Sequence, residues 1–120
     1  MSRVLIDDGF TFSFTSKPTD RTPKPVTIKY RTPEPESLAR HDRLAFADAK
    51  EFAQGQAAFL AENIGEWDAT TVEKVGDKEV DKPLPPTKDT FLKVRDWNLL
   101  KQFREEICRS NTIVEDEQKK

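Results

Sequence analysis

The chain has 120 residues, 35% apolar and 35% charged, which gives one domain with a modest core under a polar surface. Its net charge of −2 comes from well-mixed acids and bases with no basic stripe, which argues against nucleic acid as a ligand. No apolar run approaches a membrane span, MSRVLIDDGF does not read as a signal peptide, and the lone Cys108 has no intramolecular partner, so a reducing cytoplasm is the expected home.

The first elements read as strands. Phe10, Phe12 and Phe14 alternate with Thr11 and Ser13, the period of a strand with one buried face. Val4–Ile6 is a candidate earlier strand, turning at Asp7-Asp8-Gly9. SKPTDRTPKP (16–25) is a loop rich in proline. Val26, Ile28 and Tyr30 alternate again and predict a second strand, paired with the first as an antiparallel hairpin with a long connection. A hairpin alone is marginal, so a helix or a further strand must cover it.

A helix entry follows at Arg31–Glu36. Thr32 can cap it with Pro33 in the first turn, or Pro35 can delay the start to itself. From there to Trp67 there is no proline. Phe46, Ala49, Ala53, Ala57, Leu60, Ile64 and Trp67 recur at steps of three and four, the repeat of one helix face, with Phe52 and Phe59 widening it. This predicts a central helix, either continuous or broken near Gln54-Gly55, with Trp67 as its anchor. Thr70–Val80 around Gly76-Asp77 predicts a small hairpin or an irregular excursion, and Lys82–Pro86 an extended connector. Thr87 is positioned to cap a short helix carrying Phe91, Leu92 and Val94. Asp96 can cap a last helix from Trp97 to about Arg109, which buries Trp97, Leu100, Phe103 or Arg104, and Ile107. The fold class is therefore α+β: a small N-terminal antiparallel sheet, then a mainly helical part with a long central helix and a C-terminal helix. Residues 1–111 form one domain and 112–120 a flexible charged tail.

Reaction chemistry has little to build on. His41 has no second histidine or cysteine at ligand spacing. Cys108 lies near a helix end, away from the positive N-terminus that would activate it. The paired acids (Asp7/Asp8, Glu62/Glu66, Glu105/Glu106, Glu115–Glu117) sit in polar surroundings rather than in two contrasting ones. The four glycines match no phosphate loop. No enzyme, cofactor or metal site is expected. Trp67 and Trp97 each stand at a helix boundary beside an aspartate. They read as a core clamp between the helical parts, or as exposed anchors for a partner.

The order of these features resembles the tail assembly chaperones of long-tailed bacteriophages and prophages. A strand (VTIKYR) leads through TPEP to a long helix ending in FLAENIGEWD, then a polar excursion, LPPTKDTFLKV and the helix LLKQFREEI. The matching residues are Ile64, Trp67, Asp68, Gly76, Pro86, Thr87, Phe91 and Ile107, within residues 26–109. The longer excursion at 69–86 and the phenylalanine-rich first strand depart from the pattern. The resemblance implies a cytoplasmic, non-catalytic factor that coats the tape measure protein, recruits tail tube subunits and is absent from the finished particle. Such chaperones are often made in two lengths by frameshifting, and Lys119-Lys120 is compatible with a slippery codon run. Candidate contacts are Trp97, Leu99, Phe103 and the free edge of the strand carrying Phe10, Phe12 and Phe14. A homo-oligomer is open. The rival readings are a small structural or adaptor subunit of the particle, an interaction module unrelated to phage, and a small enzyme or metal protein centred on His41.

Overall fold

The computed structural model describes the backbone of residues 12–118 and the side chains of residues 12–110. Phe10, the Val4–Ile6 strand and the Asp7-Asp8-Gly9 turn lie outside the described residues. The class is α+β. β1 (Phe12–Thr15), β2 (Thr27–Tyr30) and β3 (Ile64–Trp67) form one antiparallel sheet with β2 in the middle. Phe12 faces Tyr30 and Phe14 faces Ile28, so the alternation expected of both strands puts their apolar side chains on one face.

The helical layer packs on that face. It consists of α1 (Pro35–Asp42), a 3₁₀ turn (Arg43–Phe46), α2 (Ala49–Asn63), α3 (Lys88–Lys93) and α4 (Trp97–Gln118). Ile28, Tyr30, Leu60, Ile64, Phe91, Leu100, Phe103 and Ile107 are all at most 2% exposed and form the shared core. Phe14 meets Phe103 edge to face at 6.3 Å, and Phe12 stacks on Tyr30 at 5.5 Å. Thr87 and Asp96 cap α3 and α4 as their positions suggest, each accepting from the backbone N–H three residues on. α4 continues to Gln118, past the expected end near Arg109, since neither proline nor glycine interrupts it.

The central helix differs from expectation at both ends. It begins at Ala49, capped by Asp48, whose carboxylate accepts from Glu51 N–H at 2.8 Å, and Phe46 lies on the preceding 3₁₀ turn, 94% exposed. α1 begins at Pro35, the later of the two alternatives. Gly55 lies inside α2 and does not break it. At the far end Ile64–Trp67 is a strand, not a helix. Ile64 pairs with Tyr30, Glu66 with Lys29 and Trp67 with Ile28, and the register shifts by one residue between the first two. That bulge puts residues three apart on the same face, so Ile64 and Trp67 mimic helical spacing while lying in a sheet. Asn63, fully buried, closes the helix by donating from Nδ2 to the Phe59 carbonyl at 2.8 Å.

Between β3 and α3 the chain makes an arm. β4 (Thr70–Val75) and β5 (Lys78–Pro83) pair antiparallel, and every residue of both strands is exposed. This is the hairpin alternative for the excursion. Gly76 turns it with φ of 66°, and no other described residue has positive φ, so Asp77 is on the negative side. Glycine first in a two-residue loop is the type II′ arrangement.

Candidate functional site

Three clusters outside the apolar core could carry function. The first lies where α1, α2 and α4 meet. His41, with 15% of its side chain exposed, stacks on Phe59 at 4.5 Å and borders a cavity of about 100 Å³ lined also by Ser37, Arg40, Gly55, Ala58 and Glu62. Arg104 Nη1 lies 3.3 Å from His41 Nε2, and a guanidinium can only donate. Nε2 therefore accepts, and the proton sits on Nδ1, directed at Asp42 Oδ1 (3.4 Å) and Cys108 Sγ (3.6 Å). In that tautomer the imidazole has no lone pair free to take the thiol proton. Burial pushes the Cys108 thiol up to about 11, and burial holds the imidazole below its ordinary value. The pair is built as a packed polar joint and lacks the features of an activated nucleophile. No group of three or more histidine, cysteine or acidic side chains suited to a metal occurs among the described residues.

The second cluster ties the 16–25 loop to the start of α4. Asp96, 7% exposed, accepts from the hydroxyls of Thr19 and Thr22 (the latter at 2.6 Å) and from Leu99 N–H at 3.2 Å. Arg21 donates to the Arg95 carbonyl at 3.1 Å, and Lys17 N–H to Gln102 Oε1 at 2.7 Å. Burial by itself would raise the Asp96 carboxyl, but the threonine hydroxyls, the Leu99 N–H and the Arg21 charge outweigh it and hold the group low. Each of these three bonds serves the fold, so Asp96 fastens the loop to the start of α4.

The third cluster faces outward. Trp97, 49% exposed, stacks on Phe52 of α2 at 6.3 Å with 21° between the rings. On Phe52 also lies the Arg104 guanidinium, 4.9 Å from the ring centre. A half-exposed indole thus stacks on an aromatic ring that carries the Arg104 guanidinium, both from the helical layer. The arm adds Val72, Val75 and Val80, 58%, 61% and 48% exposed.

Among the described residues expected at a partner surface, Trp97 is the outward one, and Phe10 lies outside the described residues. Leu99 and Phe103 are 4% and 0% exposed and belong to the core, because their helical positions point at the sheet and Trp97 precedes the buried face. Phe12 and Phe14 are half-buried against that core. What β1 offers is its outer backbone edge, unpaired among the described residues, not its rings. Trp67 is the clamp: it packs on Phe91 at 4.9 Å and donates from Nε1 to the Leu84 carbonyl at 2.7 Å, closing the base of the arm. It does not share that contact with Trp97. Phe46 was missed as a surface group because its apolar character was absorbed into the helix repeat. The Asp48…Glu51 capping signal was the clue that it lies before the helix.

No family model, curated protein or solved structure matches the chain. No helix among the described residues is long and apolar enough to cross a membrane.

Proposed function

We propose that this protein is a non-catalytic assembly factor of the tail-chaperone kind, which binds the tape measure protein through its helical layer and recruits tail tube subunits during tail morphogenesis in the host cytoplasm. The observation that carries the reading is Trp97, half-exposed and stacked on Phe52, whose ring also carries the Arg104 guanidinium. Tryptophan and arginine dominate binding hot spots, and a rigid aromatic loses little entropy when a partner covers it. A long, apolar-faced helix is the natural occupant of such a ridge, and a tape measure protein offers many of them in series. The outer edge of β1, unpaired among the described residues, supplies a second place where an extended segment can add.

The test is co-expression with the tape measure protein of the same genome. A soluble complex is expected, lost on Trp97→Ala while the variant keeps its helical circular dichroism. A genome without such a gene, a tape measure protein that stays insoluble beside the chain, or binding indifferent to Trp97→Ala each removes the reading. Finding the chain in purified mature tails removes the chaperone role in favour of a structural subunit.

A further inference from the structure

The arm is a two-stranded ribbon whose strands contribute no buried residue, an arrangement of marginal stability in water. Its two outer edges are chemically different. A two-residue loop closes on the hydrogen-bonded pair Val75–Lys78, and alternation makes Glu73–Val80 and Thr71–Lys82 the next such pairs. The Leu84 N–H donating to the Ala69 carbonyl at 3.0 Å fits that alternation. Thr70, Val72 and Lys74 therefore direct their N–H and C=O groups outward from β4. Glu79, Asp81 and Pro83 hold the corresponding positions on β5.

We infer that the outer edge of β4 is a self-pairing surface: two copies of this chain join arm to arm, β4 antiparallel to β4, about a two-fold axis at Val72. A two-fold axis normal to the sheet pairs residues of the same face, so only a few registers exist. Centring on Thr71 pairs only Thr70 with Val72 among the outward groups of β4 and leaves Lys74 outside the strand pairing, centring on Glu73 sets acid against acid, and centring on Lys74 sets base against base. Centring on Val72 sets Val72 opposite Val72, Thr71 opposite Glu73 and Thr70 opposite Lys74, with no like charges facing. In that register the hydrogen-bonded pairs are Thr70–Lys74, Val72–Val72 and Lys74–Thr70, which uses every outward backbone group of the edge. The β5 edge cannot do this. Centring on Glu79 or Asp81 faces an acid with itself, centring on Val80 faces Glu79 with Asp81, and Pro83 has no N–H to give. One edge is guarded and the other is complementary to itself. The product is a closed four-stranded sheet, β5-β4-β4-β5, ending in guarded edges. It does not depend on the tape measure reading, and its test uses the chain alone.

Analytical ultracentrifugation across a concentration series is expected to show a monomer–dimer equilibrium. Val72→Pro removes an outward N–H without touching the β4–β5 ladder and is expected to weaken the dimer by about tenfold or more. Val80→Thr is expected to leave it unchanged. Val72→Cys reads the register directly. Facing residues of a hydrogen-bonded pair have Cα atoms about 5.5 Å apart, inside the range a disulfide spans. Mild oxidation is expected to cross-link Val72→Cys into dimers and to leave Val80→Cys and the parent chain, with only Cys108, uncross-linked. A chain that stays monomeric at about 1 mM overturns the inference. So does a dimer that survives Val72→Pro, or one whose Val72→Cys form does not cross-link.

Discussion

Leu44 lies across the position in α2 that has no side chain: a β-carbon on Gly55 would overlap Leu44 Cδ2. The glycine is therefore a seat for the 3₁₀ turn. Alanine at 55 would gain about 1 kcal/mol of helix propensity but must push Leu44 aside. Gly55→Ala alone is expected to destabilise the protein or leave it unchanged. In a Leu44→Ala background the same change is expected to stabilise by about 1 kcal/mol. Urea midpoints of the four proteins measure the coupling, and strict additivity would show that Leu44 does not occupy the space.

That seat shows where the sequence was legible and where it was not. The strands at Phe12–Thr15 and Thr27–Tyr30, the capping roles of Thr87 and Asp96, and the hairpin turning at Gly76 follow from local chemistry, and local chemistry is what one sequence displays. Gly55 read as a weak point because its partner, Leu44, is tertiary. Ile64–Trp67 read as helix because a bulge imitates helical spacing. Trp97 was legible as a boundary aromatic, but its exposure depends on how α4 turns against the sheet, which also sends Leu99 and Phe103 inward. The His41–Arg104–Cys108 joint gathers residues from distant turns, and no spacing announces it.

Asp96 has two duties, capping α4 and tethering the loop through Thr19 and Thr22. Asp96→Ala leaves one N-terminal amide and two hydroxyls without their acceptor, at a cost of about 2–3 kcal/mol. Thr22→Val removes one of these bonds and is expected to cost about 1 kcal/mol. Chemical denaturation gives both values, and limited proteolysis between residues 16 and 25 is expected to accelerate in the aspartate variant. Equal losses for the two variants would mean that the cap and the Thr19 bond are both idle and that Thr22 alone carries the tether.

Trp67 joins the sheet to the base of the arm through its bond to the Leu84 carbonyl. Trp67→Phe keeps an aromatic against Phe91 but drops that bond and leaves a smaller ring, at an expected cost of about 1–2 kcal/mol. Amide exchange at Leu84, which donates to Ala69, is expected to speed up more than exchange within α4. Uniform acceleration would place the effect in global stability alone.

Acid is expected to destabilise the protein in two separate windows. The imidazole of His41 is held below its ordinary 6.5 by burial, assisted by Arg104 and opposed by Asp42. The unfolded chain therefore takes up a proton near pH 6.5 while the folded chain stays neutral. The unfolded state then binds more protons, and stability falls as pH drops below 6.5, by at most about 1.4 kcal/mol per pH unit, until the folded imidazole titrates too. Asp96 acts lower down. Its carboxyl is held below its ordinary 3.8, so its contribution is full above that value and is lost as pH falls through the folded pKa. His41→Gln is expected to flatten the limb just below pH 6.5 and leave the lower one. Asp96→Asn is expected to do the reverse, starting from a less stable protein. Urea midpoints from pH 7.5 to 3 separate the two. A His41→Gln profile parallel to the parent's would show that the folded chain accepts the proton without cost, and that Arg104 yields its place beside the ring.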